Sequence, residues 1–125
     1  MQDQRPIFFN LFQIRFPVPA VMSFAHRVSG VLMVLVIPAL IWMLDVSLTS
    51  EPGFMQVRAL LDNMLVRLAL VLLAWGLLHH LFAGIRYLLL DLDIGIERAQ
   101  GRATAWLVLL GAAALAFAAA GWVLL

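Results

Sequence analysis

The order of apolar and polar residues along the chain predicts three long helices joined by short polar segments. Apolar stretches cover residues 28–44, about 65–90 and 103–125. The last contains no ionisable side chain and would span roughly 34 Å as a helix, enough to cross a hydrocarbon layer of about 30 Å. A membrane interior offers no water to backbone groups, so each stretch must be helical. The pattern therefore predicts an all-α integral membrane protein with transmembrane helices at about 22–48, 60–91 and 103–125.

The composition supports a membrane protein and excludes several other classes. Hydrophobic residues make up 65% of the 125 residues and charged residues only 12%, with a mean hydropathy of +1.04. Soluble domains carry about 25% charged residues, so a soluble catalytic domain, a nucleic-acid binder and a disordered tail are excluded. The chain has no cysteine, which excludes disulfides, thiolate metal sites and iron–sulfur clusters within it. Any metal cofactor must be bound through histidine, methionine or oxygen.

The ends and loops predict how the chain sits in the membrane. Residues 1–21 lack an apolar core followed by a cleavage site, so we interpret them as a retained tail along the membrane surface. The whole chain, 1–125, is expected to form one membrane-anchor domain. The distribution of arginines favours a cytoplasmic N-terminus and a periplasmic C-terminus. Six fall on the side of the tail and second loop, and two on the other: Arg5, Arg15, Arg27, Arg86, Arg98 and Arg102 against Arg58 and Arg67.

The first loop predicts a short helix at the membrane surface. A turn signal at Pro52 and Gly53 is followed by apolar residues at helical spacing from Phe54 to Met64. Such a segment suits an interfacial lead-in to the second span.

The third apolar stretch has the marks of a packing helix. Trp106 and Trp122 are 16 residues apart, as two aromatic anchors at opposite membrane interfaces would be. Ala112, Ala116 and Ala120 form a ridge of small residues that permits close helix contact in lipid. Neither feature points to chemistry.

A polar stripe opens the first helix. Ser23, His26, Arg27 and Gly30 stand at i, i+3, i+4 and i+7 and so share one helical face. The stripe can be a capping serine with a cation that reaches the headgroups. It can equally be a group of hydrogen-bond donors at the cytoplasmic interface, which suits an anionic or carbonyl-bearing ligand.

The second helix contains two histidines within the apolar stretch. Gly76, His80 and Gly84 are spaced by four, which leaves a flat gap beside one imidazole where a planar macrocycle has room. A neutral imidazole can bind iron through one nitrogen while the other donates a hydrogen bond. The alternative is a histidine bonded to a neighbouring helix, with the glycines as packing contacts. His79 points about 100° away from His80, so the two cannot serve the same face.

Two charged residues follow near the end of the second helix. Arg86 and Asp91 can pair with each other or with a partner subunit. Arg86 can also simply extend its side chain to the headgroups.

These motifs together resemble a known family. The run from Ser23 to Gly30 resembles the S-x-x-H-R-x-S-G signature of the cytochrome b subunit of succinate dehydrogenase. The run from His80 to Arg86, with Asp91 beyond it, is similar to that family's H-x-x-x-G-x-R…D signature. Two parts of the tail also match the family's usual entry sequence: Arg5-Pro6 and Ile14-Arg15-Phe16-Pro17. The resemblance covers nearly the whole chain.

The resemblance implies a membrane anchor of respiratory complex II in the bacterial inner membrane. A second small anchor subunit would complete the helical bundle and share a haem b. An iron–sulfur subunit and a flavoprotein would hold the clusters and FAD, and quinone would be the substrate. His80 matches the axial haem ligand, with Gly76 and Gly84 in the haem pocket. His26 and Arg27 match contacts to the haem propionates, and Ser23 and Arg27 match the quinone site.

Two positions depart from the family pattern, and two other functions remain open. Tyr87 stands where many relatives have a second histidine, and His79 stands where close relatives often have tyrosine. Other functions compatible with the same residues are a haem-free structural anchor and the anchor of a fumarate reductase working in the reverse direction.

Overall fold

The computed structural model describes residues 15–124, with side chains described as far as Gly121. The tail residues Arg5, Pro6 and Ile14 and the side chain of Trp122 lie outside this range. All regular structure in the described range is helical. It comprises α1 (Val18–Thr49), α2 (Glu51–Leu61), α3 (Met64–Asp91) and α4 (Arg98–Leu124).

The prediction of an all-helical membrane protein is confirmed. Within the described part of the chain, three helices are long and apolar enough to cross a membrane, namely Val18–Thr49, Met64–Asp91 and Arg98–Gly121. The first begins four residues before its predicted start, because the apolar residues Val18 to Val21 also belong to the helix. The third begins five residues early, because the helix continues through polar and charged residues such as Arg98 and Arg102. Pro17 and Pro19 are compatible with the beginning of α1, since a helix needs no backbone donors in its first turn.

A short separate helix, α2, precedes the second span, as the apolar spacing in the first loop predicts. The Ser50 hydroxyl caps α2 by accepting a hydrogen bond from the Gly53 backbone N–H at 3.1 Å. A Cβ at the buried Gly53 would collide with the carbonyl oxygen of Val46 in α1. This close approach folds α2 back against the end of α1. The Asn63 side chain then caps α3, so the second span begins at Met64.

Small side chains make the contact between α3 and α4. Ala83 of α3 packs among Ala105 and Val108 of α4 and Met22 of α1, and all four are buried. Ala112 and Ala116 continue the buried stripe along α4, as the small-residue ridge predicts, whereas Ala120 is only half-buried. Without large residues between them, the helices can approach closely in lipid.

Large apolar side chains remain on the outer surface of the bundle. Leu35, Leu107 and Phe117 are among many that are more than half exposed. Trp106 is also exposed, as expected of an aromatic anchor at a membrane interface. A continuous apolar exterior of this kind is suited to lipid or to a partner subunit.

The chain reverses direction between α3 and α4 within six residues. Asp93 and Gly95 both take positive φ values, 59° and 81°. The backbone N–H of Ile94 reaches back to the carbonyl of Leu89 at 2.9 Å. The reversal places the beginning of α4 at the same end of the bundle as the beginning of α1.

Candidate functional site

An apolar cavity of about 590 Å³ lies in the groove between α1 and α3. Its volume falls within the range of about 300–1,000 Å³ typical of small-molecule and cofactor sites. The α1 residues lining it recur at intervals of three and four and therefore form one helical face. The lining residues are His26, Arg27, Gly30, Val31, Val34, Leu35 and, from α3, His80.

The hydrogen bonds around His80 define which of its ring nitrogens carries the proton. Its Nδ1 lies 3.1 Å from the backbone carbonyl oxygen of His26 and 3.2 Å from the Oγ of Ser29. The Ser29 hydroxyl donates its single hydrogen to the same carbonyl, at 2.8 Å. Both groups near Nδ1 therefore accept, so Nδ1 carries the hydrogen and donates it. The Nε2 atom keeps its lone pair, which is the state an imidazole needs to bind a metal.

Gly30 is the glycine in contact with the His80 ring. A Cβ at Gly30 would lie 3.0 Å from Cε1 and 3.4 Å from Nδ1 of that ring. By contrast, a Cβ at Gly76 would meet the Cβ of Ser29 at 3.8 Å, and one at Gly84 would meet nothing within 4 Å. The sequence placed Gly30 in the polar stripe of α1, but the spacing of four within α3 predicted Gly76 and Gly84 as the glycines beside His80.

His26 lines the cavity, and one nitrogen of its ring lacks a hydrogen-bond partner within the described part of the chain. Its ring stacks on that of His80, with centroids 4.0 Å apart and planes 18° apart. The ring of Tyr87 lies at an angle to it, 5.4 Å away. The Nε2 of His26 is buried and has no hydrogen-bond partner among the described residues. A buried polar atom without a partner is costly, so this nitrogen points to a partner beyond the described residues; the Nδ1 of the enclosed His79 also has none among them.

His79 faces a different part of the bundle, as the angular offset from its neighbour predicts. It is completely buried. Its Nε2 lies 3.4 Å from the carbonyl oxygen of Met22, and its ring stacks on that of Trp75. It does not line the cavity. In the described part of the chain, no three histidine or carboxylate side chains are grouped to hold a bare metal ion.

Arg27 lines a second cavity along α1, and Ser23 lies next to Arg27 without lining that cavity itself. The Nη2 of Arg27 lies 3.5 Å from the Oγ of Ser23, a long contact between exposed groups. The cavity measures about 470 Å³ and is almost entirely apolar apart from Arg27, which lines both cavities. Its lining residues are Phe16, Ala20, Val21, Phe24 and Arg27. A guanidinium and a hydroxyl at an apolar slot can fix a flat molecule that carries carbonyl oxygens.

Arg86 joins α3 to α4 instead of reaching the headgroups. Only 8% of it is exposed. Its Nε donates to the Thr104 Oγ1 and its Nη2 to the Gly101 carbonyl, each at 3.0 Å. No ion pair links it to Asp91 among the described residues, so the hypotheses of pairing with Asp91 and of an extended boundary residue are both wrong. Helical spacing alone did not indicate that α4 would supply its acceptors.

Comparison with known proteins gives matches over almost the entire chain. The family model described as "Succinate dehydrogenase/Fumarate reductase transmembrane subunit" matches residues 1–120. The succinate dehydrogenase cytochrome b556 subunit of Coxiella burnetii is 34% identical over 109 residues, covering 86% of this chain and 87% of the relative. The protein of the same name from Paracoccus denitrificans is 30% identical over 115 residues, covering 92% and 88%.

Proposed function

Because this chain belongs to the succinate dehydrogenase/fumarate reductase transmembrane subunit family and is a cytochrome b subunit of it, we propose that it holds one side of a haem b. The other side would be held by a second small anchor subunit. We also propose that it forms part of the site where quinone receives electrons from succinate. An iron–sulfur subunit and a flavoprotein with FAD would supply the electrons. The two similar subunits are both named cytochrome b556, which supports a haem in this chain.

The observation that carries the proposal is the hydrogen bonding of His80. The Nδ1–H is held by the His26 carbonyl and the Ser29 hydroxyl, which leaves Nε2 as the nitrogen able to bind iron. His80 also lines the cavity, whereas His79 is enclosed between α1 and α3. The side chains present therefore fit a haem that His80 would hold from this chain, and a histidine of the partner anchor would hold it from the other side. When bound, a b-type haem supplies a one-electron redox centre.

His26 and Arg27 would bind the haem propionates. His26 lines the cavity and has a buried Nε2 without a partner among the described residues, and Arg27 lines the same cavity with an exposed side chain. Charge-assisted hydrogen bonds to a carboxylate would satisfy both groups. Gly84 would leave room for the haem beside α3, and the open space around it supports this role. Gly76, the other glycine of the proposed haem pocket, lies against Ser29 of α1, and neither glycine lines the cavity next to His80.

Ser23 and Arg27 would bind the quinone at the second cavity: Arg27 lines it, and Ser23 reaches it only as the neighbour of Arg27. The apolar walls suit a quinone ring and its isoprenoid tail. The Ser23 hydroxyl can donate a hydrogen bond to one quinone oxygen, and Arg27 can stabilise negative charge that builds there during reduction. Among residues 15–121, no carboxylate lines the cavity, so protons would come from water or from partner residues.

We place the chain in the bacterial inner membrane as one anchor domain, 1–125, with its N-terminus in the cytoplasm. The arginine distribution supports this orientation. The cytoplasmic end of the bundle then carries the quinone site, next to the soluble subunits that deliver electrons. Labelling of single cysteines introduced at each end, in intact cells, tests the orientation.

The haem assignment is tested by a reduced-minus-oxidised spectrum of the purified complex together with extracted haem. We expect about one b-type haem per complex and its loss in His80→Ala. His79→Ala is the matched control, because the neighbouring imidazole lies outside the cavity, and it should keep the haem. An assembled complex with no haem would make the chain a haem-free structural anchor.

The quinone site is tested by comparing two assays of the same complex. Ser23→Ala and Arg27→Ala should depress succinate:quinone reductase activity far more than succinate oxidation with an artificial electron acceptor. An equal fall in both activities would contradict the assignment. Rates of fumarate reduction by quinol in the wild-type complex distinguish a fumarate reductase working in the reverse direction.

A further inference from the structure

Three arginines border one polar cavity where α1 and α4 begin. The cavity measures about 360 Å³ and lies between the residues that lead into α1 and the first two turns of α4. Arg15 lies just before α1, while Arg98 and Arg102 occupy the first two turns of α4. This cavity, called here the arginine cavity, is lined by Arg15, Phe16, Pro17, Val18, Pro19, Arg98 and Arg102. It is separate from the two cavities assigned to haem and quinone, although it shares Phe16 with the second.

The arginine cavity has three positive charges, and the acidic side chains nearest to them in sequence, Asp93 and Glu97 in the turn before α4, are not paired with them. None of the three guanidiniums makes an ion pair within residues 15–121. The ion pair recorded there joins Arg67, near the beginning of α3, to Asp62 just before it. The first turn of α4 contains no acidic residue. The N-terminus of a helix is itself partly positive, so cations there are unfavourable without an anion. An anion in the cavity would relieve this repulsion.

The surroundings of the arginine cavity indicate a lipid as the source of that anion. The cavity lies level with the ends of two apolar spans, where headgroups are found. Arg102, Trp106 and Leu110 follow one another at intervals of four along α4, and all three are exposed. An acyl chain can lie along this face below a headgroup held by the arginines. An acidic protein surface would require no such apolar continuation.

We propose that the arginine cavity binds the phosphate of an anionic phospholipid whose acyl chain runs along the exposed face of α4. Guanidinium groups bind phosphate oxygens in a bidentate manner, and basic pockets between helix ends are suited to anionic headgroups. The site would secure the beginning of α4 against that of α1 through a shared anion. It does not depend on the haem or quinone assignments.

The proposal is tested on the whole complex, purified, stripped of lipid and supplied with phosphatidylcholine micelles containing increasing phosphatidylglycerol. Native mass spectrometry counts the phosphatidylglycerol molecules retained. Each arginine near a membrane surface contributes about fivefold to anionic-lipid affinity, so Arg98→Gln with Arg102→Gln should weaken retention roughly 25-fold. Arg58→Gln, an exposed arginine in α2, is the matched control and should retain wild-type affinity. Haem content should not change in either.

Three results would overturn the proposal. One is equal phosphatidylglycerol affinity in the wild type, the double variant and the control. Another is full competition by millimolar inorganic phosphate, which would make the cavity a site for free phosphate. A third is loss of the soluble subunits from the double variant while its lipid is retained, because the arginines would then dock a protein. If the double variant does not assemble, the single variant Arg102→Gln is used instead. A fivefold loss of phosphatidylglycerol affinity would support the proposal, and an unchanged affinity would overturn it.

Discussion

Replacing Gly30 by alanine would place a methyl group directly against the imidazole of His80. The new Cβ would lie 3.0 Å from Cε1 of the ring, whereas carbon atoms normally approach to about 3.5–4.0 Å. The ring must therefore retreat by about half an ångström. Its Nδ1 is held by the His26 carbonyl and by Ser29, so the retreat strains those hydrogen bonds or displaces α1 from α3.

The strain can be expressed as a loss of haem affinity. Overpacking a tight contact costs about 1–3 kcal/mol. Since about 1.4 kcal/mol corresponds to a factor of ten, haem affinity in Gly30→Ala should fall about 5- to 140-fold. Metal–ligand distances tolerate only about 0.2 Å of change, so any haem that remains should have altered absorption bands.

The measurement is haem per assembled complex, followed during transfer of haem to an excess of an apoprotein acceptor. Gly111→Ala is the matched control, because a Cβ at that position in α4 meets nothing within 4 Å in this chain. The control should keep wild-type haem release. Wild-type spectrum and release rate in an assembled Gly30→Ala complex would refute the reasoning, since the ring would then be free to move or would not be the ligand.

Three further variants test separate contacts. Ser29→Ala removes one acceptor from His80 but leaves the backbone carbonyl, so haem release should accelerate about tenfold, as for other outer-shell partners, measured by the same transfer assay. Arg86→Lys should lower the stability of the complex by about 2 kcal/mol, because lysine keeps a buried charge but cannot make both hydrogen bonds of Arg86. Arg86→Met, which removes the charge, should lower it less. Thermal melts that give the reverse order would contradict this. Gly53→Ala should push α2 away from the Val46 carbonyl and cost about 1–3 kcal/mol, with faster proteolysis of the first loop as the readout; unchanged proteolysis would show that α2 does not rest there.

Periodicity predicted the features that depend on a single helix. The three spans, the shared face of Ser23, His26 and Arg27 and the different directions of His79 and His80 all follow from rise and rotation per residue. The structure has the three long helices and places His79 and His80 in different surroundings. Hydropathy located each span to within about five residues, because a span is a property of one continuous apolar stretch.

The contacts between helices were not predictable in this way. Which residue of α1 faces His80 depends on how far α1 is shifted along α3, and neither helix encodes that shift alone. Gly30 was therefore placed in a polar stripe without its partner ring. The acceptors of Arg86 were missed for the same reason, because Gly101 and Thr104 approach it only after the chain reverses. The proposed roles of Ser23, Arg27, Gly76 and Gly84 still rest on the family resemblance together with the cavities described above.

The carbonyl oxygen that orients His80 belongs to the backbone of His26, while the imidazole of the same residue lines the cavity. One position thus provides two groups that respond differently to mutation. Any amino acid at position 26 except one that disrupts the helix keeps the carbonyl, so substitutions there can change the surroundings of the cavity without abolishing the orientation of His80. This arrangement makes the site robust to mutation. Side-chain changes at position 26 alter the electrostatics of the cavity, while the helical backbone continues to orient His80.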